Sequence, residues 1–441
     1  MPTILVAGAG KSTTCLIQYL IAQAVKHKWN LVIADECIEA IEDKTNGHQI
    51  AKAVALDITN AAERQKLVKE ADLVVSLMPP HLHIHLAKDC LLYKKNLITS
   101  SYISPEIKEL HSAVKEAGLM FMCEMGLDPG IDHMTASHII HSIQRVAATI
   151  TSFKSYCGGL IAPESDDNPW HYKFSWNPRN VITAGMGGAH YLNNGKEISI
   201  PYEQLFEHNK KIKVEGHGSF AFYPNRDSLS YLEVYDVPEV KNFLRATLRH
   251  PDFCKGWNAL IKLGLTDSTD NREHIGNYAE WLKIKTGYTN ELSLKEHTAR
   301  CLAIEPQDKV MAMLEWLGLF DTLPVKESAK TSADILLGLL LEKWSMKPED
   351  KDMVVMHHEV EYLHRDKKIT LHSSMVVKGD DSKYSAMAKT VGLPMGVLAK
   401  LVMTGKITPP QGVQIPNMPS VYRPVMNELA HYGIRFEDTV S

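Results

Sequence analysis

The sequence has little of what would place it in a membrane, a secreted scaffold or a polyanion complex. Its 441 residues include only seven cysteines, an odd number without a C-x-x-C pair, which argues against a disulfide framework and a zinc ribbon. The formal net charge is −4, so composition gives no reason to expect nucleic-acid binding. No apolar run nears membrane-spanning length, and the N-terminus lacks a basic region and a cleavage site. We therefore expect a cytoplasmic globular protein with reduced thiols.

What the sequence does contain is clearest at its N-terminus. Residues 3–7 are an apolar run the size of a buried strand, Gly8-Ala-Gly10 follows, and residues 16–25 have a helical pattern. In this context a G-x-G turn binds a dinucleotide, because glycine lets the backbone approach a pyrophosphate at the start of a helix. Thr13 replaces the third glycine of the fingerprint, and Leu5 stands where a P-loop needs glycine. The pattern predicts a dinucleotide site, with a plain βα turn as the alternative.

Residues 1–124 alternate between strand and helix patterns. The alternation predicts six strands and five intervening helices, hence an α/β fold with a doubly wound, parallel Rossmann-type sheet. Asn60, or Thr59 beside it, and Ser104 are candidate helix caps. The expected strands are residues 3–7, 30–34, 52–56, 72–78, 96–99 and 119–123.

Asp35 ends the second of these strands. A carboxylate at this position accepts hydrogen bonds from both ribose hydroxyls of NAD and repels the 2′-phosphate of NADP. Glu36 adds to the repulsion, so the residues favour NAD. The alternative is that Asp35 only caps or solvates a turn.

After residue 124 the pattern changes. Asp128 is a candidate N-cap, with Pro129 as the first residue of its helix. Strand-like pieces with long polar connections occupy residues 151–235, and residues 238–345 are mostly helical in pattern. Residues 353–375 alternate between apolar and polar side chains around a polar turn, which is typical of a β-hairpin.

Two groups of polar residues have both a functional and a structural interpretation. His81, His83 and His85 alternate like metal ligands, but positions two apart do not face one another on a helix. No further ligand motif accompanies them, so we predict no metal site and interpret them as surface histidines near a cofactor loop. Arg226 and Arg249 lie in expected loops or at element ends, where an arginine forms a surface salt bridge or clamps a substrate carboxylate.

Longer motifs extend through nearly the whole chain. They are Ser76-Leu-Met-Pro79, Thr99-Ser-Ser-Tyr102, Glu124-Met-Gly-Leu-Asp-Pro-Gly-Ile-Asp-His133, Ser155-Tyr-Cys-Gly-Gly-Leu160, Tyr172-Lys-Phe-Ser-Trp176, Tyr223-Pro-Asn-Arg-Asp-Ser228, Thr247-Leu-Arg249 and Tyr384-Ser-Ala-Met-Ala-Lys389. By these motifs the chain resembles the saccharopine dehydrogenases of the glutamate-forming type, also called saccharopine reductases.

The resemblance implies a reaction and a domain organisation. The reaction is the NAD(P)-dependent interconversion of saccharopine with L-glutamate and 2-aminoadipate 6-semialdehyde, in lysine metabolism, by a homodimer. The implied segments are a dinucleotide-binding domain at 1–124, an α+β substrate and dimerisation domain at 125–237 and 351–390, a helical insert at 238–350, and a C-terminal segment at 391–441 that returns to the first domain.

The resemblance also implies site residues. Asp128 and Tyr102 are the expected catalytic groups, with Asp128 ranked first as general base. Because saccharopine carries three carboxylates, its site needs cations. The residues expected to bind substrate are Ser101, Tyr102, Asp128, Arg226, Thr247, Leu248 and Arg249. Those expected to bind cofactor are Gly8, Gly10, Lys11, Ser12, Thr13, Asp35, Ser76, Leu77 and Pro79.

Departures from the family pattern leave alternatives open. The family often has a basic or small residue where Asp35 stands, so NADP stays possible beside NAD. His250 stands where a tyrosine is familiar, at one edge of the expected substrate pocket. The alternative functions are a dehydrogenase of a related amine condensate (the carboxynorspermidine type), a non-catalytic nucleotide-binding regulator, and a metal-dependent hydrolase.

Overall fold

The computed structural model describes residues 1–207, 209–270, 275–408 and 410–441. Short strands and helices alternate in the first part of the chain, as its sequence pattern predicts. The strands are β1 (Thr3–Ala7), β2 (Asn30–Asp35), β3 (Ala51–Ala55), β4 (Leu73–Ser76), β5 (Asn96–Thr99) and β6 (Met120–Met122). The helices are α1 (Thr14–His27), α2 (Ile38–Thr45), α3 (Ala61–Glu70), α4 (His83–Leu92), α5 (Pro105–Glu109), α6 (His111–Glu116) and α7 (Ile131–Arg145).

The rest of the chain is rich in strands at first and then in helices. Its strands are β7 (Thr149–Ile161), β8 (Ala189–Asn193), β9 (Lys196–Ile200), β10 (Lys210–Val214), β11 (Gly218–Pro224), β12 (Arg226–Asp227), β13 (Asn242–Arg249), β14 (Asp352–His364), β15 (Lys367–Lys378), β16 (Gly412–Gln414) and β17 (Glu437–Val440). Its helices are α8 (Pro178–Ile182), α9 (Tyr202–Leu205), α10 (Tyr231–Val234), α11 (Pro251–Lys262), α12 (Tyr278–Thr286), α13 (Leu294–Leu302), α14 (Lys309–Leu317), α15 (Ser332–Trp344), α16 (Ala386–Met403) and α17 (Pro419–Leu429).

Seven parallel strands form the first sheet, in the order β16-β6-β5-β4-β1-β2-β3. Ile4, Leu5 and Val6 of β1 are at most 1% exposed, because helices cover both faces of the sheet. The strand order changes direction between β1 and β4, and ligands bind at such switch points, beyond the carboxyl ends of the strands. The predicted doubly wound sheet is confirmed, and β16 adds a seventh strand.

Local signals placed several of these elements correctly. β1 and β5 have the bounds that the sequence predicts. The Asn60 side chain accepts a hydrogen bond from Glu63 N at 3.4 Å, and that of Ser104 accepts one from Ile107 N at 3.3 Å. Both are N-caps, and each satisfies a backbone amide that has no partner inside its helix.

The second sheet has ten strands, seven of which follow the path β10-β11-β13-β7-β14-β15-β17. β14 and β15 form the predicted hairpin, with Arg365 and Asp366 at its turn in left-handed conformations. The expectation of helix from residue 238 is wrong at its start, because residues 242–249 form β13. This strand is buried beside β7 and β11, and its apolar residues serve a sheet core rather than a helix face.

Helices α11 to α15 pack around an aromatic core of their own. Trp170, Trp257, Trp281 and Trp344 are at most 1% exposed in this cluster. Tyr172, Phe174 and Phe253 also lie in the core, so the loop after β7 is held firmly against α11. The division of the chain into domains stays a prediction.

α16 is the described helix that meets the length and apolarity of a membrane span, so the expectation that no apolar run nears that length is wrong. Within the fold 78% of this helix is buried. A Cβ atom on Gly392 would lie 3.0 Å from Leu16 N and 3.2 Å from Ser12 O, and one on Gly396 would lie 2.9 Å from a carbon of Tyr19. These glycines let α16 lie directly against α1 and the glycine loop.

Candidate functional site

The glycine loop between β1 and α1 has the geometry of a pyrophosphate site. Gly8 has a φ of +103°, and a Cβ there would lie 3.0 Å from Leu77 O, so no other residue fits without strain. Gly10 faces open space. Thr13 donates from Oγ1 to Gly10 O at 2.7 Å, and this bond shapes the short helical turn Lys11–Thr13 that leads into α1. The loop and the helix start can therefore hold an anion.

Asp35 lies against this loop. Its Oδ2 accepts a hydrogen bond from Ala9 N at 2.6 Å, and its Oδ1 accepts one from Cys37 N at 3.0 Å. The half-buried carboxylate thus stands at the carboxyl end of β2, next to the pyrophosphate loop. This is where the ribose of a dinucleotide lies in a doubly wound sheet. The residues present therefore fit a nicotinamide dinucleotide.

A buried histidine links the ends of β4 and β5. His83 Nδ1 lies 2.8 Å from Ser76 Oγ, and His83 Nε2 lies 2.8 Å from Ser101 Oγ. His83 is 1% exposed, so its interpretation as a surface histidine is wrong. Burial, with a contribution from His81, lowers the pKa of His83 to about 4, so the ring is neutral at neutral pH. A neutral ring donates to one hydroxyl and accepts from the other.

The predicted site residues Tyr102 and Asp128 meet at an arginine that the sequence did not single out. Arg245 Nη2 donates to Asp128 Oδ1 at 2.6 Å and to Asp132 Oδ2 at 2.7 Å. It also lies 3.2 Å from Tyr102 Oη, and Tyr102 lies 3.3 Å from Asp128 Oδ1. Arg245 is 2% exposed, and its guanidinium stacks over the ring of Tyr231. A cation with two carboxylates and a phenol is thus held inside the protein.

The two carboxylates differ in their protonation chemistry. Burial and the charge of Asp132 raise the pKa of Asp128 above its usual value, although Arg245 opposes this. Burial acts the same way on Asp132, but there His133, Arg245 and the Gly130 amide outweigh it and lower the pKa. Burial raises the pKa of Tyr102, so this phenol stays protonated. Of the two carboxylates, Asp128 is therefore the one that binds a proton more readily.

The sequence predicted that Asp128 caps α7, and this prediction is wrong. The N-cap residue is Gly130, and the helix begins at Ile131. Asp132 Oδ1 instead accepts the Gly130 amide at 2.6 Å. The Asp128 carboxylate is thereby free to face Tyr102 and Arg245. Asp128 therefore belongs to the buried cluster and not to the start of the helix.

A second polar network, centred on Glu124 and His133, is adjacent to the cluster around Arg245. Glu124 Oε2 lies 2.7 Å from His133 Nε2 and accepts from Tyr231 Oη at 2.9 Å, and His133 Nδ1 lies 2.6 Å from Tyr235 Oη. Glu124 Oε1 accepts the Ile103 amide at 3.1 Å. These bonds fix the strand end that carries Ser101 and Tyr102 relative to α7.

Arg249 lies in a different environment. It is 4% exposed, and its guanidinium stacks on the rings of Tyr172 at 5.3 Å and Phe253 at 5.5 Å. Its hydrogen bonds go to the carbonyls of Leu248 at 2.9 Å and Gly159 at 3.5 Å, and Nε has no partner. Among the described residues no carboxylate pairs with it, so this buried cation has capacity for an anionic ligand.

The predicted site residues therefore fall into three neighbouring groups. The cofactor residues gather at the carboxyl edge of the first sheet, where Leu77 and Pro79 follow Ser76. Ser101, Tyr102, Asp128 and the exposed Arg226, which lies over the Tyr102 ring at 5.3 Å, form the second group. Arg249, with Thr247 and Leu248 before it on β13, forms the third. Cys157 on β7 lies opposite Thr247 in the pairing of β7 with β13.

Sequence patterns did not single out Arg245, Asp132, His133 or His83 as site residues. Asp132 and His133 lie in the motif from which Asp128 was selected, four and five residues after it. Arg245 had no such signal, because it belongs to no recognised motif and its neighbours become known only when β13 is placed in the sheet.

Comparisons with known proteins cover the whole chain. Residues 4–122 match the family model described as the saccharopine dehydrogenase NADP binding domain, and residues 126–434 match that of the saccharopine dehydrogenase C-terminal domain. A saccharopine dehydrogenase [NADP(+), L-glutamate-forming] of Schizosaccharomyces pombe is 33% identical, over 100% of this chain and 99% of that protein. The mitochondrial alpha-aminoadipic semialdehyde synthase of Bos taurus is 35% identical over 98% of this chain and 47% of its own length.

A solved structure agrees. The apo saccharopine dehydrogenase (L-Glu forming) of Saccharomyces cerevisiae superimposes with a TM-score of 0.88 at 32% sequence identity, covering 100% of both chains. The likeness therefore includes both sheets, the helical region and the returning C-terminal segment.

Proposed function

Because the chain belongs to the family of saccharopine dehydrogenases, we propose that it interconverts saccharopine with L-glutamate and 2-aminoadipate 6-semialdehyde, using a nicotinamide dinucleotide. The observation that carries the proposal is the buried cluster of Asp128, Tyr102 and Arg245 beside the cofactor edge of the first sheet. It supplies a proton-exchanging carboxylate, a neutral hydrogen-bond donor and a fixed cation.

Arg249 supports an anionic substrate. Saccharopine has three carboxylates, and the buried Arg249 guanidinium, whose Nε has no hydrogen-bond partner, would bind one of them. The Tyr172 and Phe253 rings hold the guanidinium plane in place. Arg226, exposed above the Tyr102 ring, can meet a second carboxylate at the mouth of the site.

The reaction in the oxidative direction needs proton transfer twice. The nicotinamide, when bound, accepts hydride from the carbon beside the secondary amine. Asp128 first takes the proton from the secondary amine and passes it to solvent, because a carboxyl with a raised pKa both accepts and releases a proton readily. Its carboxylate then takes a proton from the water that attacks the imine carbon, and Tyr102 donates a hydrogen bond to the developing oxygen. Asp128 returns this proton to the nitrogen as the carbinolamine collapses, the C–N bond breaks, and the amine of glutamate leaves together with the aldehyde.

His83 acts as a positioning residue in this scheme. Its neutral ring can donate to Ser101 while it accepts from Ser76, which leaves the Ser101 proton available for the substrate. In the opposite tautomer Ser76 has the available proton instead. His83 thus sets which hydroxyl, on the cofactor side or the substrate side, serves as donor.

We further propose that this chain prefers NAD, although the relative from Schizosaccharomyces pombe is named for NADP(+). The support is Asp35, whose carboxylate lies at the ribose position and would face a 2′-phosphate with like charge. A cytoplasmic homodimer is proposed as well, supported by seven free thiols and by the family resemblance. Light scattering after gel filtration would give the molar mass; a monomer would contradict the dimer.

The testing experiment follows absorbance of the reduced nicotinamide band, with purified protein, saccharopine, and NAD or NADP in turn. Reduction of cofactor with equal release of glutamate is the expected result. Turnover of a carboxylated polyamine but not of saccharopine would instead identify the related condensate dehydrogenase. Cofactor binding without turnover of either substrate would identify a regulator. Arg249→Ala distinguishes the saccharopine dehydrogenase from the related condensate dehydrogenase. It should strongly lower the rate of saccharopine turnover and should change little for a substrate with fewer carboxylates.

A further inference from the structure

Two histidines and an aspartate that belong to no part of the proposed reaction meet beside α11. His171 comes from the loop after β7, His250 lies between β13 and α11, and Asp252 lies in the first turn of α11. His171 Nε2 and His250 Nδ1 each lie 3.5 Å from Asp252 Oδ2, and the imidazole ring centroids are 3.7 Å apart. One donor atom from each residue lies within 4.8 Å of the others, the one such group among the described residues.

We propose that His171, His250 and Asp252 form a binding site for a divalent transition-metal ion, with Zn²⁺ as the best-fitting candidate. Two imidazole nitrogens and one carboxylate oxygen are donors that zinc takes, with a fourth position left for water. Zinc bonds of about 2.0–2.2 Å in tetrahedral geometry place neighbouring donors about 3.4 Å apart. The two nitrogen-to-oxygen distances of 3.5 Å are close to that separation.

The surroundings orient the ligands. His171 Nδ1 lies 2.6 Å from Asp166 Oδ2, which holds the Nδ1 proton and leaves the lone pair of Nε2 directed at Asp252. Such a carboxylate behind a ligating histidine is the usual arrangement at metal centres. His250 Nδ1 accepts the Asp252 amide at 3.2 Å, so this nitrogen carries a lone pair, and a metal ion would take the place of that amide.

Lys309 is the competitor for this site. Its Nζ lies 2.6 Å from Asp252 Oδ2, the same oxygen that both histidines approach. The Lys309 side chain is 59% exposed, so the ammonium can leave for solvent when a metal arrives. Removing that ammonium should therefore strengthen metal binding, an effect opposite in sign to that of removing a ligand.

The site lies directly behind the Arg249 pocket. His171, His250 and Asp252 are the immediate chain neighbours of Tyr172, Arg249 and Phe253, which form that pocket. A bound ion would join the loop after β7 to α11, the two segments that carry the aromatic walls around Arg249. The site itself shares no donor atom with the proposed catalytic cluster.

The test is calorimetric titration of the full-length, chelator-treated protein with ZnCl₂. We expect one Zn²⁺ per chain, and at least about tenfold weaker binding in both His171→Asn and His250→Asn. Asparagine tolerates the left-handed backbone at residue 171 (φ 52°) and supplies a capping oxygen for α11 at residue 250. Lys309→Met should bind at least threefold more tightly. His190→Asn is the matched control, since His190 also lies between two carboxylates, Glu197 and Asp227, and its loss should change nothing.

Three results would overturn the site. The first is wild-type protein that takes up no zinc. The second is wild-type affinity in both asparagine variants at unchanged melting temperature, which would assign the zinc to other groups. The third is a Lys309→Met variant that binds zinc more weakly than wild type.

Discussion

At the scale of single residues, the Asp35 carboxylate at the end of β2 bears on the choice between NAD and NADP. Asp35 touches the glycine loop through Ala9, so its charge lies within a few ångströms of any ribose bound there. Fixed charge at that distance selects between ligands that differ by a phosphate, because the site is partly screened from water.

The first prediction concerns this selection. Wild-type protein should bind NADP at least about tenfold more weakly than NAD, or about 1.4 kcal/mol. Asp35→Asn keeps an oxygen for the Ala9 amide and removes the charge, so the preference should fall at least about tenfold. Tryptophan fluorescence titration with both cofactors would measure it. Asp72→Asn is the control, because Asp72 also accepts a backbone amide, from Thr3 at 2.7 Å, but at the opposite end of the sheet. Equal affinities in wild-type protein would refute the role.

The second prediction concerns Asp128. Asp128→Asn should lower kcat about 10²- to 10⁴-fold while the melting temperature changes little, since the removed carboxylate is one of two that face Arg245. The acid limb of the oxidative kcat/KM profile should disappear as well, because protonation of a carboxylate with a raised pKa produces that limb.

Tyr102→Phe is the companion variant for this test. It keeps the ring beside Arg245 and removes the hydroxyl with its two hydrogen bonds, but it leaves the Asp128 carboxylate in place, so the loss of kcat should be smaller. An Asp128→Asn enzyme with wild-type kcat would remove Asp128 from the mechanism.

The sequence could supply part of this site. Short motifs gave the glycine loop, Asp35 and the stretch around Asp128, because their chemistry depends on neighbours in the chain. Arg245 could not be found in this way, since its meaning comes from the pairing of β13 with β7, which brings together distant parts of the chain. His83 was misplaced for the same reason, because its two serine partners lie at the ends of separate strands.

At the scale of elements, β13 and α16 show where pattern and fold diverge. In β13, Leu244, Ala246 and Leu248 alternate with Arg245, Thr247 and Arg249, yet the polar face is mostly buried as well, so β13 is not the half-exposed strand that such alternation usually indicates. α16 has the composition of a membrane span, yet its apolar surface is used up against α1, β14 and the first sheet. In both cases the structure depends on packing against elements that are distant in the sequence, and a local pattern does not show these contacts.

The third prediction uses the contact between α16 and the glycine loop. Gly392→Ala should destabilise the protein by about 1–3 kcal/mol, because its Cβ would press on Leu16 N and Ser12 O. It should also weaken NAD and NADP binding equally, since it displaces the loop without changing charge. Gly338→Ala on α15 is the control: its Cβ would meet only Tyr278 Oη at 3.8 Å, so stability should rise by about 0.5–1 kcal/mol. Denaturant melts and cofactor titrations measure both. A neutral Gly392→Ala would contradict the tight approach.

At the scale of the whole molecule, buried neutral histidines couple stability to acidity. Burial lowers the pKa of His83 and His357 to about 4 and that of His358 to about 3. The unfolded chain protonates these rings at pH values below about 6.5, whereas the folded chain does not. The unfolded state therefore binds more protons between pH 6.5 and 5, and the free energy of unfolding falls as the pH falls.

The fourth prediction isolates one of these residues. His358→Gln should flatten the decline between pH 6.5 and 5 by up to about 1.4 kcal/mol per pH unit, because one proton fewer is taken up on unfolding. Glutamine can still donate to Thr135, which His358 Nε2 contacts at 2.7 Å. Urea melts at a series of pH values give the slope. His48→Gln, on the exposed loop before β3, should leave the slope unchanged. An undiminished slope in His358→Gln would show that other groups control it.

The path of the C-terminal segment has a consequence for motion. Beyond β6 the chain leaves the first sheet through α7, returns through α16 to add β16, and leaves again through α17 to add β17 to the second sheet. Two parts of a protein joined by one chain connection can reorient freely, whereas three connections restrict their relative movement. The first and second sheets are connected by three crossings of the chain, so any relative movement of the two sheets must bend all three connections.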